Sequence, residues 1–327
     1  MRGPTYLRVE SGGALAAVIV AVSLLAVDPS LAAPSSSSPP PASRADATQL
    51  ADPRGTLYAV ATAHLDTPWR WTIRETIETY LPLTLRTNLE FFDKYPGYTF
   101  SFEGAFRYQL AREYFPAEYE RMRRAIAAGR WRVTGSWVDA VDTNIPSPES
   151  LTRQVLYGNG YFRREFGTES VDVFLPDCFG FGAALPAVAA HCGLLGFSSQ
   201  KLTWGSAAGI PFDIGLWEGI DGSTLVSALN PGSYGGTFDG DLTADSSACA
   251  TTARQGAASG TFAAVRYFGT GDTGGGPTEE SVRWLERSLD GAGPVRVIST
   301  PADQFARDLS MPQAAALRAR LPRYSGE

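Results

Sequence analysis

From Thr56 onward, short apolar runs alternate with longer segments whose apolar residues recur at helical spacing. "TLYAVATA" (56–63) lacks the polar alternation of a half-exposed strand and predicts a strand covered on both faces. In 72–94, Ile73, Ile77, Tyr80 and Leu81 share a helical face, with Pro82 as the expected kink. "YTFSFEG" reads as a strand, "PAEYERMRRAIAAGR" as a helix stopped by Gly129, and "WRVTGSWVD" as another strand. "SPESLTRQVLYGNGYFRREFG" opens on a capping serine and predicts a helix. A strand in "SVDVFLPD" and a short helix in "LPAVAAHCG" come next, then strand candidates in "LLGFSSQK", "FDIGLWEG" and "TLVSALNP". Residues 235–261, rich in Gly, Ala, Ser and Thr, predict a surface excursion, before a strand in "AAVRYFGTG" and a helix in "TEESVRWLERSLD". Strands alternating with helices imply βαβ units and a mainly parallel sheet, either open or closed into a barrel.

In such folds chemistry gathers beyond the carboxyl ends of the strands. Sorted by that rule, the first strand ends at His64 and Asp66, the third near Asp139, Asp142 and Asn144, the fourth at Asp177, and a later one at Asp272. His64 and Asp66, two residues apart in extended chain, share a face and can hold one ion together. With Asp177 they make one imidazole and two carboxylates, a donor set that suits Zn²⁺ with positions open for substrate. A hydrogen-bonded histidine at a strand end is the plainer alternative for His64. His191, in "AVAAHCG", has no acid beside it in sequence and reads as an ordinary core or surface histidine. "GTGDTGGGPT" lacks the lysine of a phosphate loop and the spacing of a dinucleotide loop, so its glycines point to backbone held close to a ligand or metal site. Trp69, Trp71, Phe179, Trp204 and Trp217 lie near the same strand ends; Trp69, directly behind the His-x-Asp pair, is the best placed to meet a sugar ring.

Before Thr56 the pattern changes. Arg2 and Arg8 precede the apolar run "GALAAVIVAVSLLAV" and the small residues of "DPSLAAPSSSS", the layout of a secretory signal over 1–33. The run is short of the roughly 20 apolar residues of a membrane span, so no span is expected once the signal is cleaved and the product is secreted. An uncleaved anchor, or a cytoplasmic product from a misassigned start, are the alternatives. Residues 34–54, rich in Pro, Ser and Ala, predict a solvated linker. The remainder of the 327 residues can build a sizeable core, and a net charge of −6 with no dominant basic patch excludes a nucleic-acid partner. Three cysteines without CxxC spacing, Cys178, Cys192 and Cys249, exclude a disulfide framework, though not a single bridge.

The stretches "HLDTPWRW", "GRWRVTGSWVDAVDTNIPSPESLTRQVLYGNGYF", "LPDCFGFGAALPAVAAHCG", "FDIGLWEGIDGS", "GTGDTGGGPT" and "STPADQF", in this order, resemble glycoside hydrolase family 38, the zinc-dependent retaining α-mannosidases. The resemblance covers most of the chain from about residue 56 and is closer to the cytosolic and bacterial branch than to the Golgi type. It implies an α/β fold: a seven-stranded, barrel-like catalytic domain over 55–327 with mainly parallel strands. It also implies hydrolysis of terminal α-mannosides of a glycan, with His64, Asp66 and Asp177 as ligands of Zn²⁺ and Asp177 also as nucleophile. Trp69 and Phe179 would line the mannose subsite and Lys201 would contact substrate. The family's general acid/base is a second carboxylate, for which Asp221 in "WEGIDGS" is the candidate, while Asp142 or Asp272 could instead be structural. Thr273 stands where the family usually has glycine. "LPRYSGE" resembles the start of a segment that in the family goes on to a fourth zinc-ligating histidine, so the domain is expected to be partial at its C-terminal end. Two other functions remain in view: an inactive remnant or sugar-binding pseudoenzyme, and a metal-dependent polysaccharide deacetylase. The deacetylase would want two further histidines beside an Asp, and only His64 and the isolated His191 are present.

Overall fold

A computed structural model describes residues 45–206 and 209–326. Residues 1–33, where a secretory signal is expected, and most of the expected linker lie outside the described residues. Among the described residues there are ten strands: β1 (Thr56–Ala63), β2 (Phe100–Glu103), β3 (Trp131–Thr134), β4 (Asp172–Phe174), β5 (Gly196–Ser198), β6 (Ile214–Glu218), β7 (Thr224–Ala228), β8 (Ala263–Thr270), β9 (Arg296–Ser299) and β10 (Arg323–Tyr324).

They form two five-stranded sheets, not one closed seven-stranded barrel. The first, in the order β3-β2-β1-β8, is parallel throughout, and β1 has a third neighbour: β8 along its whole length, β9 against Thr56–Ala59 and β2 against Thr62 and Ala63. The second runs β10-β6-β7-β5-β4; β6 and β7 are an antiparallel hairpin and the other pairs are parallel. At the seam, side chains stand where a ladder would run. Gly135 and Ser136, at φ 85 and 61, turn the chain out of β3 after four residues, and the Asp172 carboxylate accepts from Thr134 Oγ1 (3.3 Å) and the Gly135 N–H (3.1 Å).

Every residue of β1 is buried because both its faces are covered, as the unbroken apolar run predicts. Leu57, Ala59, Ala61 and Ala63 face a core roofed by helices Leu81–Lys94, Ala105–Tyr114 and Glu279–Ser288. Tyr58 and Val60 face an interior shared with Phe174, Ile214, Leu216, Val226 and Tyr267 of both sheets. A third cluster, with Val173, Phe197 and Trp217, packs the outer side of the second sheet against helices Pro148–Phe166 and Leu185–His191.

Several elements differ from expectation. Residues 246–259 of the supposed surface excursion are a helix, capped by Asp245 and ended by left-handed Gly260, with Ala248, Thr252 and Gly256 buried. Its small residues, poor as an apolar signal, let it lie close to the sheet. The end of the linker is also folded: Asp46 and Gln49 form a capping box for Ala47–Ala51, and Leu50 is buried. Ahead of Pro82 the helix widens into a π-helical turn, Thr76–Tyr80, whose i→i+5 bonding absorbs the missing donor and ring bulk of proline. The three cysteines are free. Among the described residues, no helix is long and apolar enough to cross a membrane.

Two tests follow from this packing. A Cβ on Gly158, within helix Pro148–Phe166, would sit 2.3 Å from the Ser136 carbonyl oxygen and 2.5 Å from the Trp137 carbonyl carbon. Backbone cannot rotate away, so Gly158→Ala is expected to cost ~1–3 kcal/mol in urea denaturation, despite the ~1 kcal/mol alanine gains in helix propensity. Asp172 is buried, and burial, then the nearby Asp303, raise its carboxyl pKa to about 7 against hydrogen bonds from Ser170 and Gly135 and the charge of Arg307. The folded state therefore keeps a proton that the unfolded chain releases near pH 4, and stability from this group falls as pH rises from about 4 to 7. Asp172→Asn is expected to match the wild type near pH 3 and to exceed it by on the order of 1 kcal/mol or more near pH 7.5. A difference in unfolding free energy that stays flat with pH would contradict this.

Candidate active site

The carboxyl ends of β1, β2, β4, β5, β7 and β8 deliver polar residues to one edge of the molecule. Past Ala63, β1 continues beside the extension of β8: His64 N–H donates to Thr270 O (2.9 Å), Asp66 N–H to Asp272 O (2.8 Å), and Gly274 N–H back to His64 O (3.0 Å). The loop after β8 needs its glycines to lie this close. A Cβ on Gly271 would overlap the Tyr234 ring at 1.5 Å, and one on Gly274, at φ 66, would meet Thr84 Oγ1 at 2.6 Å. The glycines thus serve close packing on Tyr234 and on helix Leu81–Lys94, where Asn88 Nδ2 donates to Gly275 O (2.9 Å).

His64 is 2% exposed, with its Nδ1 on the Glu103 carboxylate and its Nε2 3.4 Å from Asp66 Oδ1. Burial alone pushes the imidazole pKa down, but the Glu103 charge and the hydrogen bonds to Asp66 and Glu103 outweigh it, raising the value to about 10. Behind the pair lies buried Arg107, whose Nε donates to Leu65 O (2.7 Å) and whose guanidinium pairs with Asp139 Oδ1 at 2.9 Å. Asp139 in turn accepts from Thr67 Oγ1 at 2.6 Å.

Asp177 stands three residues beyond β4. Its Oδ1 is 2.5 Å from the Lys201 ammonium, which also lies over the rings of Trp204 (3.5 Å) and Phe179 (4.0 Å). Tyr234 OH is 3.0 Å from Asp177 Oδ1 and 2.8 Å from Asp272 Oδ1, and its ring centroid is 5.7 Å from that of His64. Burial and these two carboxylates push the phenol pKa well up. Asp272 itself takes φ 58, a left-handed conformation uncommon for a non-glycine residue. Beside Lys201, a cavity of about 290 Å³ is lined mainly by Phe179, Phe197, Trp204, Trp217 and Leu229.

The structure thus brings together His64 and Asp66, and separately Asp177, Lys201 and Phe179, with Tyr234 between the two groups. Among the described residues, no three His, Cys, Asp or Glu side chains converge as a ligand set. The pair His64 and Asp66 nevertheless has the chemistry of a metal site: two donors side by side, with the far imidazole nitrogen on a carboxylate. Trp69 is at the same edge, 53% exposed, with the Arg70 guanidinium 4.3 Å above its ring. Phe179 is 78% exposed.

Asp221 is elsewhere. It lies in the β6–β7 turn at the start of β7, and β7 runs parallel to β5 and β5 to β4, so it is at the opposite end of the sheet from Asp177. There it pairs with His191 Nε2 at 2.9 Å, an acid partner not visible in sequence order. Asp142 accepts the backbone N–H groups of Asn144 (2.7 Å) and Ile145 (3.2 Å), a turn-forming role. Glu103, Arg107 and Tyr234 escaped the sequence reading. Glu103 had a signal, since "YTFSFEG" was read as a strand ending in an acid; Arg107 lies on an unforeseen helix, and Tyr234 in a glycine-rich stretch.

A model of the glycosyl hydrolases family 38 N-terminal domain matches residues 54–327. Alpha-mannosidase G of Dictyostelium discoideum is 34% identical over 275 residues, 83% of this chain and 24% of that protein. Alpha-mannosidase 2C1 of Homo sapiens is 33% identical over 254 residues, 77% of this chain and 24% of that protein. The chain therefore spans about a quarter of the length of these curated relatives. In fold it is similar to an alpha-mannosidase from Enterococcus faecalis V583, with a TM-score of 0.62 at 17% identity, over 83% of this chain and 30% of that one. On the extent of the family match, the chain belongs to the glycosyl hydrolases of family 38 and carries their N-terminal domain.

Proposed function

We propose that the protein hydrolyses terminal α-mannosides of mannose-containing glycans with retention of configuration, through Asp177 as nucleophile and Asp272 as general acid/base. The observation that carries this is the Tyr234 hydroxyl shared by the two carboxylates. Oxygens within 3.0 and 2.8 Å of one hydroxyl are at most about 6 Å apart, near the roughly 5–5.5 Å of retaining glycosidases and short of the 6.5–9.5 Å of inverting ones. Asp272 thus takes the role that the sequence suggested for Asp221.

The proton count supports the division of labour. Tyr234 has one hydroxyl proton and two carboxylate neighbours, so both contacts are hydrogen bonds only when one carboxyl also carries a proton. Asp177, held against the Lys201 ammonium, is the member placed to attack the anomeric carbon. In this assignment Asp272 gives a proton to the departing glycosidic oxygen and takes one from water in the second step. The relatives named above as alpha-mannosidases support mannose as the sugar. Trp69 and Phe179, both exposed at this edge, supply apolar faces for a pyranose ring.

His64 and Asp66 would hold a zinc ion; Asp177, which the family resemblance adds as a ligand, is instead paired with Lys201 here. When bound, the ion would supply charge and a grip on sugar hydroxyls. A deacetylase reading loses its remaining support, since His191 lies at the far edge and adds nothing to His64. Export follows from the layout of residues 1–33, and N-terminal sequencing of the secreted form is expected to start near residue 34.

Turnover of an aryl α-mannoside with zinc supplied is the test. Asp177→Asn is expected to lower kcat/KM at least ~10³-fold with the fold intact; an active variant would remove Asp177 from the chemistry. Asp272→Asn is expected to slow methyl α-mannoside far more than a dinitrophenyl mannoside, whose leaving group needs no proton. Equal losses on both substrates would point away from acid catalysis. Mannose binding without turnover in the wild type would favour the sugar-binding remnant.

A further inference from the structure

The proposed reaction leaves one buried acid of the site without a task. Glu103 is the last residue of β2 and 2% exposed. Its position follows from register: β1 and β2 are parallel with Ala63 opposite Phe102, so the next residues of the two strands, His64 and Glu103, face each other. Gly104, at φ 79, then turns the chain at once into helix Ala105–Tyr114. A Cβ there would lie 2.1 Å from the Arg107 guanidinium. Arg107 holds the backbone of the same segment through the Leu65 carbonyl. Residues 64–66 are thus gripped twice, by Arg107 on the main chain and by Glu103 on the ring.

We propose that Glu103 is a positioning residue for zinc: bonded to Nδ1, it fixes His64 with the Nε2 donor turned toward Asp66. This rests on the zinc reading given above. Nε2 and Asp66 Oδ1, 3.4 Å apart, present themselves side by side only while the ring keeps this orientation. A flipped or rotated ring would offer the ion one donor in place of two. Carboxylates behind metal-bound histidines commonly contribute 10–100-fold to affinity, because they set both tautomer and orientation. A buried ion pair with a purely structural role would affect folding and leave metal affinity alone.

Zinc affinity of the full chain, measured by competition with a chromophoric chelator, separates these roles. Glu103→Gln keeps an acceptor oxygen and drops the charge; it is expected to weaken zinc about 10-fold. Glu103→Leu removes both and is expected to weaken it about 100-fold. The chain has only two histidines, so ¹⁵N imidazole spectra give a second readout with His191 as internal reference. In the zinc-loaded wild type, His64 is expected to carry its proton on Nδ1; in the leucine variant that signal is expected to broaden or move while His191 stays fixed. Should the leucine variant fail to fold, the glutamine variant decides. Affinity within about twofold of wild type in a folded variant would overturn the proposal alone. A wild-type chain that takes up no zinc would overturn the metal reading and this proposal together.

Discussion

The site depends on how β1 is clamped. One strand with three parallel neighbours and no exposed face has no freedom at its end. Both faces of β1 are apolar, so hydrophobicity alone would not choose its register; size does. Leu57 and the alanines 59, 61 and 63 face helices that pack closely, while Tyr58 and Val60 fill the wider space between the sheets. A one-residue slip would exchange these sets, drive a tyrosine into space shaped for alanine, and turn His64 away from Glu103. The pairing that stabilises the core therefore also aims the imidazole, and the continued pairing past Ala63 sets Asp66 beside Asp272.

How much of this could be read in the sequence depended on whether the signal was local. β1, helix Pro148–Phe166 with its serine cap and final Gly167, and the hairpin strands β6 and β7 all stand where periodicity and capping put them. His64, Asp66 and Asp177 were singled out because each follows closely on a predicted parallel strand, whereas Lys201 came from the family resemblance alone. Contacts between distant segments were not. Asp221 stood in a motif of the family resemblance, but strand direction puts it at the opposite edge, since an antiparallel hairpin reverses the rule that active residues follow strands. Tyr234 stood between the predicted strand "TLVSALNP" and the excursion expected over 235–261, where no element was expected. The helix at Ser246–Ser259 was hidden by its own composition, as Ala, Ser and Thr give little apolar periodicity however well they pack. Of the two forms left open in the sequence, the described strands form two sheets, and β3 ends after four positions at two left-handed residues.

Charge at the site follows one rule, that a buried ion needs a partner. Arg107 answers Asp139, and Lys201 answers Asp177. Tyr234 lets Asp272 approach Asp177 by placing a hydroxyl between two groups that would otherwise repel. His64 contacts both Glu103 and Asp66. One imidazolium cannot balance two carboxylates, and its raised affinity for a proton is the measure of that shortfall. A proton here occupies a place between an imidazole nitrogen and a carboxylate oxygen, where a divalent cation would find the same two donors and carry twice the charge. The proposed zinc reading therefore falls on this pair, and not on Asp139, paired with Arg107, or on His191 at the far edge.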